Sequence, residues 1–244
     1  MEARNVPASN GWQWIKQSWN LFRQNPVLWV FLVLSGISGL ILLSYIPVVG
    51  PMLPVLLFPV LMGGLAAGCQ AQDAGKELEL GYLIAGLRKN TQWLVALGGL
   101  NLVCQMLILQ IISLAGGAPF VDLMTNSQET NPEAAAAAMQ LAIDSSTRGS
   151  LMIGGALTCL LLLAMQFAPV LVMLSDARPF AAMKASLRGC LRNVGAMFIY
   201  SIALIPFAFI ASMPMFLGWL VLLPVVMISM YAGYKDLFAG APAA

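Results

Sequence analysis

Residues 24–72 read QNPVLWVFLVLSGISGLILLSYIPVVGPMLPVLLFPVLMGGLAAGCQAQ, which is 49 positions without a charged residue. A helix needs ~20 apolar residues to cross the hydrocarbon core of a bilayer. The stretch is therefore long enough for two crossings. The segment IPVVGP at 46–51 provides the turn between them, because prolines and a glycine do not continue a helix. We predict a first span at about 27–45 and a second span that ends near Cys69.

Three further charge-free stretches follow, at 90–121, 149–175 and 193–234. The first two are long enough for one span each, at about 93–114 and 150–174. The third holds two spans, from about 194 to 234, which are separated by a bend at Ser212-Met213-Pro214. Hydrophobic residues make up 60% of the chain and charged residues only 9%, whereas soluble domains carry ~25% charged residues. These features predict an all-α, polytopic membrane helix bundle, a single transmembrane domain over 1–244.

The distribution of basic residues predicts the orientation. Eleven Lys and Arg residues fall on the side that holds both termini, and Arg148 alone falls on the other side. Loops on the cytoplasmic side are enriched in Lys and Arg, so both termini are expected in the cytoplasm. The connection 115–149 is then periplasmic. Within it, Asn131-Pro132-Glu133 predicts the capped start of a short helix.

The sequence also suggests an internal repeat. Basic, amphipathic segments at 11–25, 78–90 and 179–193 each lead into a pair of spans, of which we call the later member the second span. The expected apolar faces are Trp12, Ile15, Trp19 and Phe22 in the first segment, and Phe180, Met183, Leu187 and Cys190 in the third. Each second span carries a Pro-Val motif, at Pro59, Pro169 and Pro224, and is followed by an aspartate, Asp73, Asp176 or Asp236. The repeat units are about 10–73, 78–176 with 115–149 as an insertion, and 179–236.

The residues that are missing exclude several kinds of chemistry. The chain has no histidine, which removes Ser-His and Cys-His nucleophile pairs and histidine-ligated metals. No acidic or basic residue falls within a predicted span, although membrane-embedded proton relays need such groups. The four cysteines form no CxxC pair, and the net charge of +2 does not favour a nucleic-acid partner. We therefore expect no enzymatic activity, no cofactor and no metal.

Two sets of residues are candidates for function. A surface for lipid or for a partner is expected at Lys16, Arg23, Arg88, Lys89, Arg188, Arg192, Trp12 and Trp19, because basic residues near a membrane attract anionic headgroups. A polar core is expected at Asn101, Gln105 and Gln166. Asn101 and Gln105 share one helical face because they are four residues apart. These three side chains either line a polar pathway or, as we favour, form hydrogen bonds between helices.

The chain resembles the small bacterial inner-membrane proteins usually described as hypothetical transmembrane proteins. The segments that carry the resemblance are WNLFRQNP at 19–26, IPVVG at 46–50 and PVLMGG at 59–64. The resemblance implies a bacterial inner-membrane location and no particular functional residue. The leading hypothesis is a non-enzymatic protein that acts by interaction with membrane lipids and with another membrane or cytoplasmic protein, as a scaffold, assembly factor or envelope-maintenance component. The alternative is a transporter or lipid-handling protein.

Overall fold

The computed structural model of the protein describes residues 3–118, 120–122, 140, 145–213 and 215–239. No β-strand occurs in these ranges. The α-helices there are α1 (Asn10–Phe22), α2 (Pro26–Ser44), α3 (Leu53–Asp73), α4 (Ala85–Arg88), α5 (Thr91–Ile112), α6 (Ser145–Gln166), α7 (Ala168–Ser175), α8 (Pro179–Arg192), α9 (Val194–Ser212) and α10 (Trp219–Leu237). The helix predicted to start at Asn131-Pro132-Glu133 lies outside the described residues.

Six segments of the described chain are long and apolar enough to cross a membrane. They are Pro26–Ser44, Gly50–Asp73, Thr91–Gly117, Thr147–Ser175, Val194–Ser212 and Trp219–Leu237. The prediction of an all-α bundle with six membrane-spanning helices is thereby confirmed. The fourth segment differs from the predicted continuous span, because its helix is interrupted at Phe167, between α6 and α7.

The chain divides into two compact units. The smaller unit, residues 101–162, contains the end of α5 and most of α6. There α5 passes into a π-helical turn, Ser113–Gly117, in which Gly116 has a φ of 100°, a conformation that glycine adopts without steric cost. A Cβ atom at Gly154 would collide with the side chain of Ile112, so this glycine allows the two helices of the unit to approach closely.

The larger unit, residues 1–100 and 163–244, has its core among the second spans. Helices α3, α7 and α10 contact one another, and the prolines of their Pro-Val motifs are all buried. In α3 and α10, 56% and 61% of the span residues are buried, compared with 17% in each of the first spans α2 and α9. The first spans therefore form the outer layer, where apolar side chains such as Phe31, Ile205 and Phe209 remain exposed.

The predicted apolar stripes of two amphipathic helices are only partly buried within the protein. In α1, Trp14 and Ser18 are buried with Ile15 and Phe22, whereas Trp12 and Trp19 are 40% and 47% exposed. In α8 the exposed residue is Phe180, while Ala182, Ser186 and Gly189 are buried with Met183 and Cys190. Small residues select these faces because they allow the closest approach: a Cβ atom at Gly11 would collide with the Ala196 carbonyl oxygen of α9.

In the middle basic segment, predicted at 78–90, the helical part is shorter than the segment. It consists of a 3-10 helix, Leu80–Ile84, followed by the four-residue helix α4. It packs closely on α3, since a Cβ atom at Gly86 would collide with the Val60 carbonyl oxygen and one at Gly64 with the Tyr82 carbonyl oxygen.

Candidate functional site

The aspartate after the third Pro-Val motif, Asp236, is buried near the end of α10. Its Oδ2 atom accepts hydrogen bonds from Asn10 Nδ2 at 2.8 Å and from Trp14 Nε1 at 2.9 Å. The Arg4 guanidinium lies 3.8 Å from the Asp236 carboxylate and donates to the Asp236 backbone carbonyl at 2.9 Å. A buried carboxylate requires such partners. These contacts hold α1 and the preceding residues against α10.

Asn193, which links α8 to α9, fixes the same N-terminal residues from the other side. Its Oδ1 atom accepts the Val6 N–H at 2.8 Å, and its Nδ2 atom donates to the carbonyls of Arg4 and Gly189 at 2.8 and 2.9 Å. Arg192 adds a hydrogen bond to the Ala3 carbonyl at 3.2 Å. The start of the chain is therefore bound to the α8–α9 junction as well as to α10.

Asp73, at the end of α3, contacts α10. Its Oδ2 atom lies 2.7 Å from Lys235 Nζ and accepts a hydrogen bond from the Tyr231 hydroxyl at 3.0 Å. The neighbouring Gln72 is buried, accepts a hydrogen bond from Trp29 Nε1 at 2.8 Å and donates to the Leu21 carbonyl at 3.1 Å. The end of α3 thus joins α10, α1 and α2.

Asp176 follows α7 in a left-handed conformation with a φ of 52°. Its Oδ1 atom accepts a hydrogen bond from Asn90 Nδ2 at 2.6 Å and lies 3.3 Å from Lys89 Nζ. The Asn90 amide and the Lys89 ammonium group hold the pKa of the Asp176 carboxyl group below its usual range. Asn90 Nδ2 also donates to the Val172 carbonyl at 2.9 Å, which ties the start of α5 to α7.

At the helix break at Phe167, the Ser186 side chain forms hydrogen bonds with the backbone groups that the break leaves unpaired. Ser186 Oγ of α8 accepts the Phe167 N–H at 3.0 Å and donates to the Leu163 carbonyl at 2.8 Å. Cys190 Sγ lies 3.5 Å from the same carbonyl oxygen. Burial raises the pKa of the Cys190 thiol to about 11, so the group stays protonated and can donate.

The predicted surface residues have two different environments. Arg23, Arg88 and Arg188 are exposed and form no hydrogen bond or ion pair within the described residues. Lys89 and Arg192, by contrast, form the internal contacts with Asp176 and Ala3. Lys89 and Arg192 therefore stabilise the fold, a role that the sequence did not indicate.

The predicted polar-core residues belong to different units. Asn101, half-buried, and Gln105, exposed, are in the smaller unit, and Gln166, half-buried, is in the larger one. Every buried side-chain nitrogen and oxygen atom of the described residues has a hydrogen-bond partner. Among the same residues, no three Cys, Asp or Glu side chains lie close enough together to bind a metal ion.

An apolar groove of about 540 Å³ lies between three helices of the larger unit. Its lining residues are Trp12, Ile15, Lys16 and Trp19 of α1, Leu204, Phe207, Ile210 and Ala211 of α9, and Gly218, Val221, Leu222 and Val225 at the start of α10. Trp12 stacks on Phe207 with 6.1 Å between ring centroids, and Lys16 Nζ lies 5.8 Å from the centre of the Trp12 ring. The groove is thus lined by three of the residues predicted to contact lipid or a partner, Trp12, Lys16 and Trp19.

At one end of the groove lie residues next to the connection between α9 and α10, Ala211 and Gly218. A Cβ atom at Gly218 would collide with the backbone of Ala211, and Trp219 Nε1 donates to Ser212 Oγ at 3.0 Å. At the other ends of these two helices, α1 contacts Ala196 of α9 through Gly11 and Asp236 of α10 through Asn10. The groove therefore extends from the α9–α10 connection toward α1.

Six membrane-spanning helices with an exposed apolar outer layer define a polytopic membrane protein of the helical class. The chain is 31% identical over 209 residues to a probable inner membrane protein of Burkholderia thailandensis, in an alignment that covers 83% of this chain and 74% of that protein. The chain belongs to this family of probable inner membrane proteins. No protein-family profile matches the sequence, and no solved structure matches it.

Proposed function

We propose that this inner membrane protein is not an enzyme and acts by interaction, as a scaffold, assembly factor or envelope-maintenance component. The observation that supports this role is that three of the acidic side chains have partners inside the protein, whereas three of the basic side chains have none among the described residues. The aspartates after the second spans, Asp73, Asp176 and Asp236, all have partners inside the protein. Arg23, Arg88 and Arg188 are exposed and have none within the described residues.

The proposal places both termini in the cytoplasm. In this orientation the cytoplasmic side carries eleven basic and six acidic residues, which leaves a net charge of +5 there. The periplasmic side, with one basic and four acidic residues, has a net charge of −3. An excess of positive charge at a membrane surface favours anionic headgroups and acidic partners.

The proposal also includes the threefold repeat, which determines how the exposed arginines are arranged. Helix α1 packs on α10, the segment that contains α4 packs on α3, and α8 packs on α7. Each basic segment therefore packs on the second span of the preceding repeat unit, and the first segment packs on the last second span. This cyclic order supports three equivalent units, each of which contributes to a common surface an exposed arginine without a partner in the described residues.

The role can be tested with two triple variants of the full chain. The first is Arg23→Gln, Arg88→Gln and Arg188→Gln, in which Arg188 is preferred to Arg192 because Arg192 holds Ala3. The second is Asn101→Leu, Gln105→Leu and Gln166→Leu. Proteins are cross-linked in the membrane, each variant is purified in mild detergent, and the proteins that co-purify with it are identified. A partner retained by the second variant and lost from the first is the expected result. The opposite pattern contradicts the role and favours a transport pathway.

A lipid-handling role is the second candidate, because the groove between α1, α9 and α10 suits an amphiphile. Eleven of its twelve lining residues are uncharged, and the remaining one is Lys16. This role does not need a buried ionisable group, which the described spans lack away from their ends. It differs from the interaction role in the residues on which it depends.

A further inference from the structure

We propose that the groove binds one acyl chain of an anionic phospholipid from the surrounding bilayer, with the lipid phosphate at Lys16. The inference rests on the lipid-handling candidate and specifies its site and its ligand. None of the arginines that test the interaction role lines the groove. Failure at one site therefore leaves the other proposal intact.

The walls of the groove fit an acyl chain. They are formed by aliphatic and aromatic side chains, and the volume of about 540 Å³ falls within the range of roughly 300–1,000 Å³ found for small-molecule sites. Ile210 and Val221 line the groove and are 60% and 38% exposed. The groove is therefore open to the outer, apolar surface of α9, where bilayer lipid is in contact with the protein.

The charged end of the groove selects the headgroup. An acyl chain gains little when it leaves one apolar environment for another, so discrimination between lipids depends on the headgroup. Lys16 is the one charged residue of the lining, and no carboxylate pairs with it in the described part of the chain. Trp12 and Trp19 flank it, and their indole N–H groups have no hydrogen-bond partner there. An ammonium group with two free indole donors suits a phosphate group.

The two ends of the groove give the lipid a direction. At the α9–α10 connection, Ala211 and Gly218 lie close together, and no charged residue lines the groove at that end. At the other end lie Lys16 and the two tryptophans of α1. The acyl chain therefore enters from the side, between α9 and α10, with its headgroup at α1.

The test titrates the purified full chain, in a neutral maltoside detergent, with phosphatidylglycerol or phosphatidylcholine and counts bound lipid by native mass spectrometry. We expect the wild type to prefer phosphatidylglycerol. Lys16→Gln should weaken phosphatidylglycerol binding about fivefold, the effect of one surface charge on an anionic lipid. Lys184→Gln is the matched control, because Lys184 is exposed on the basic helix α8 and does not line the groove.

A second pair of variants tests the acyl-chain site. Leu204→Trp fills the groove and should reduce the binding of both lipids, whereas Ile205→Trp places the same side chain on the exposed face of α9 and should not. Thermal unfolding establishes that both variants are folded. The proposal is overturned if the wild type binds the two lipids equally, if Lys16→Gln behaves like Lys184→Gln, or if Leu204→Trp behaves like Ile205→Trp. Loss with Lys16→Gln alone would assign the anion to the surface of α1 and would also overturn it.

Discussion

Ser186 Oγ accepts the backbone N–H of Phe167 at 3.0 Å and so replaces the missing acceptor in a broken turn of helix. In an unbroken α-helix this N–H would donate to the Leu163 carbonyl, and Ser186 donates to that same carbonyl. A side chain inserted between an amide and its i−4 carbonyl allows a sharp kink. The direction of α7, and with it the position of Asp176, thus depends on a residue of α8.

Ser186→Ala should destabilise the protein by about 1–3 kcal/mol, because it leaves the buried Phe167 N–H unpaired. The Leu163 carbonyl then keeps only the weak thiol donor of Cys190. The measurement is the midpoint of thermal unfolding in detergent. Ser35→Ala is the control, since Ser35 bonds only to carbonyls of its own helix and its removal leaves them in the helical ladder. Equal effects of the two substitutions would contradict the proposed role of Ser186.

Asp236→Leu should cost about 1–3 kcal/mol, because the side chains of Asn10 and Trp14 then lose their buried acceptor. Asp236→Asn keeps an oxygen atom at that position and should be milder. Thermal unfolding in detergent gives the stabilities of the wild type and of both variants. If the two substitutions are equally harmful, the charge of Asp236 matters and the hydrogen bonds do not.

Charge and hydropathy sufficed to predict the spans. The charge-free stretches contain almost all of the six segments, and the expected starts and ends at 27, 45 and 194 fall within one residue of the observed helices. These positions are determined locally, because a bilayer requires a fixed length of apolar helix. The aspartates after the second spans were also recognisable, since each follows a Pro-Val motif.

The faces of the amphipathic helices could not be predicted in the same way. Helix α1 has apolar residues on two overlapping arcs, and the close fit of Gly11 against α9 determines which arc is buried. The partner of Asn193 is Val6, 187 residues away, and no local pattern indicates such a pair. Ser186 likewise looked like an ordinary polar residue of α8, because its role depends on a break in another helix.

The contacts of Asp176 predict a pH dependence. The Asn90 amide and the Lys89 ammonium group lower the pKa of this carboxyl group from its usual value of 3.8 in the folded protein. The ionised form is therefore stabilised by folding. Its contribution is complete above pH 3.8 and is lost as the pH falls through the lower, folded-state pKa.

Asp176→Asn removes this contribution and keeps a residue that tolerates the left-handed backbone. The unfolding midpoints of the wild type and the variant should differ at pH 6 and converge on acidification below the usual pKa of aspartate. A difference that is constant across this range would show that titration of Asp176 is not linked to folding.

The predicted orientation leads to a test with reporter fusions. An alkaline phosphatase fused after Ser127 should be active, because 115–149 is expected in the periplasm, and one fused after Ala244 should be inactive. A fluorescent protein that folds only in the cytoplasm should give the reverse pattern. Phosphatase activity at Ala244 would contradict the orientation inferred from the eleven basic residues on the side of the termini.

The docking of α1 on α9 can be tested with a pair of glycine substitutions. A Cβ atom at Gly11 would collide with the Ala196 carbonyl oxygen and lie 2.8 Å from the Tyr200 nitrogen, both backbone atoms that cannot rotate away. A Cβ atom at Gly39 of α2 would meet nothing within 4 Å. Gly11→Ala should therefore separate α1 from α9 and cost ~1–3 kcal/mol, whereas Gly39→Ala should be neutral or stabilising by up to ~1 kcal/mol, because alanine favours helices over glycine.

The two substitutions should also differ in their effect on lipid binding. Since α1 provides Trp12, Lys16 and Trp19 to the groove, its displacement by Gly11→Ala should weaken phosphatidylglycerol binding together with stability. Gly39→Ala should leave binding unchanged. Unfolding midpoints and the lipid titration described above provide both measurements on the same samples. A folded Gly11→Ala variant with normal stability and normal binding would show that α1 is not held against α9 in the membrane protein, and the lipid site built on that contact would fall with it.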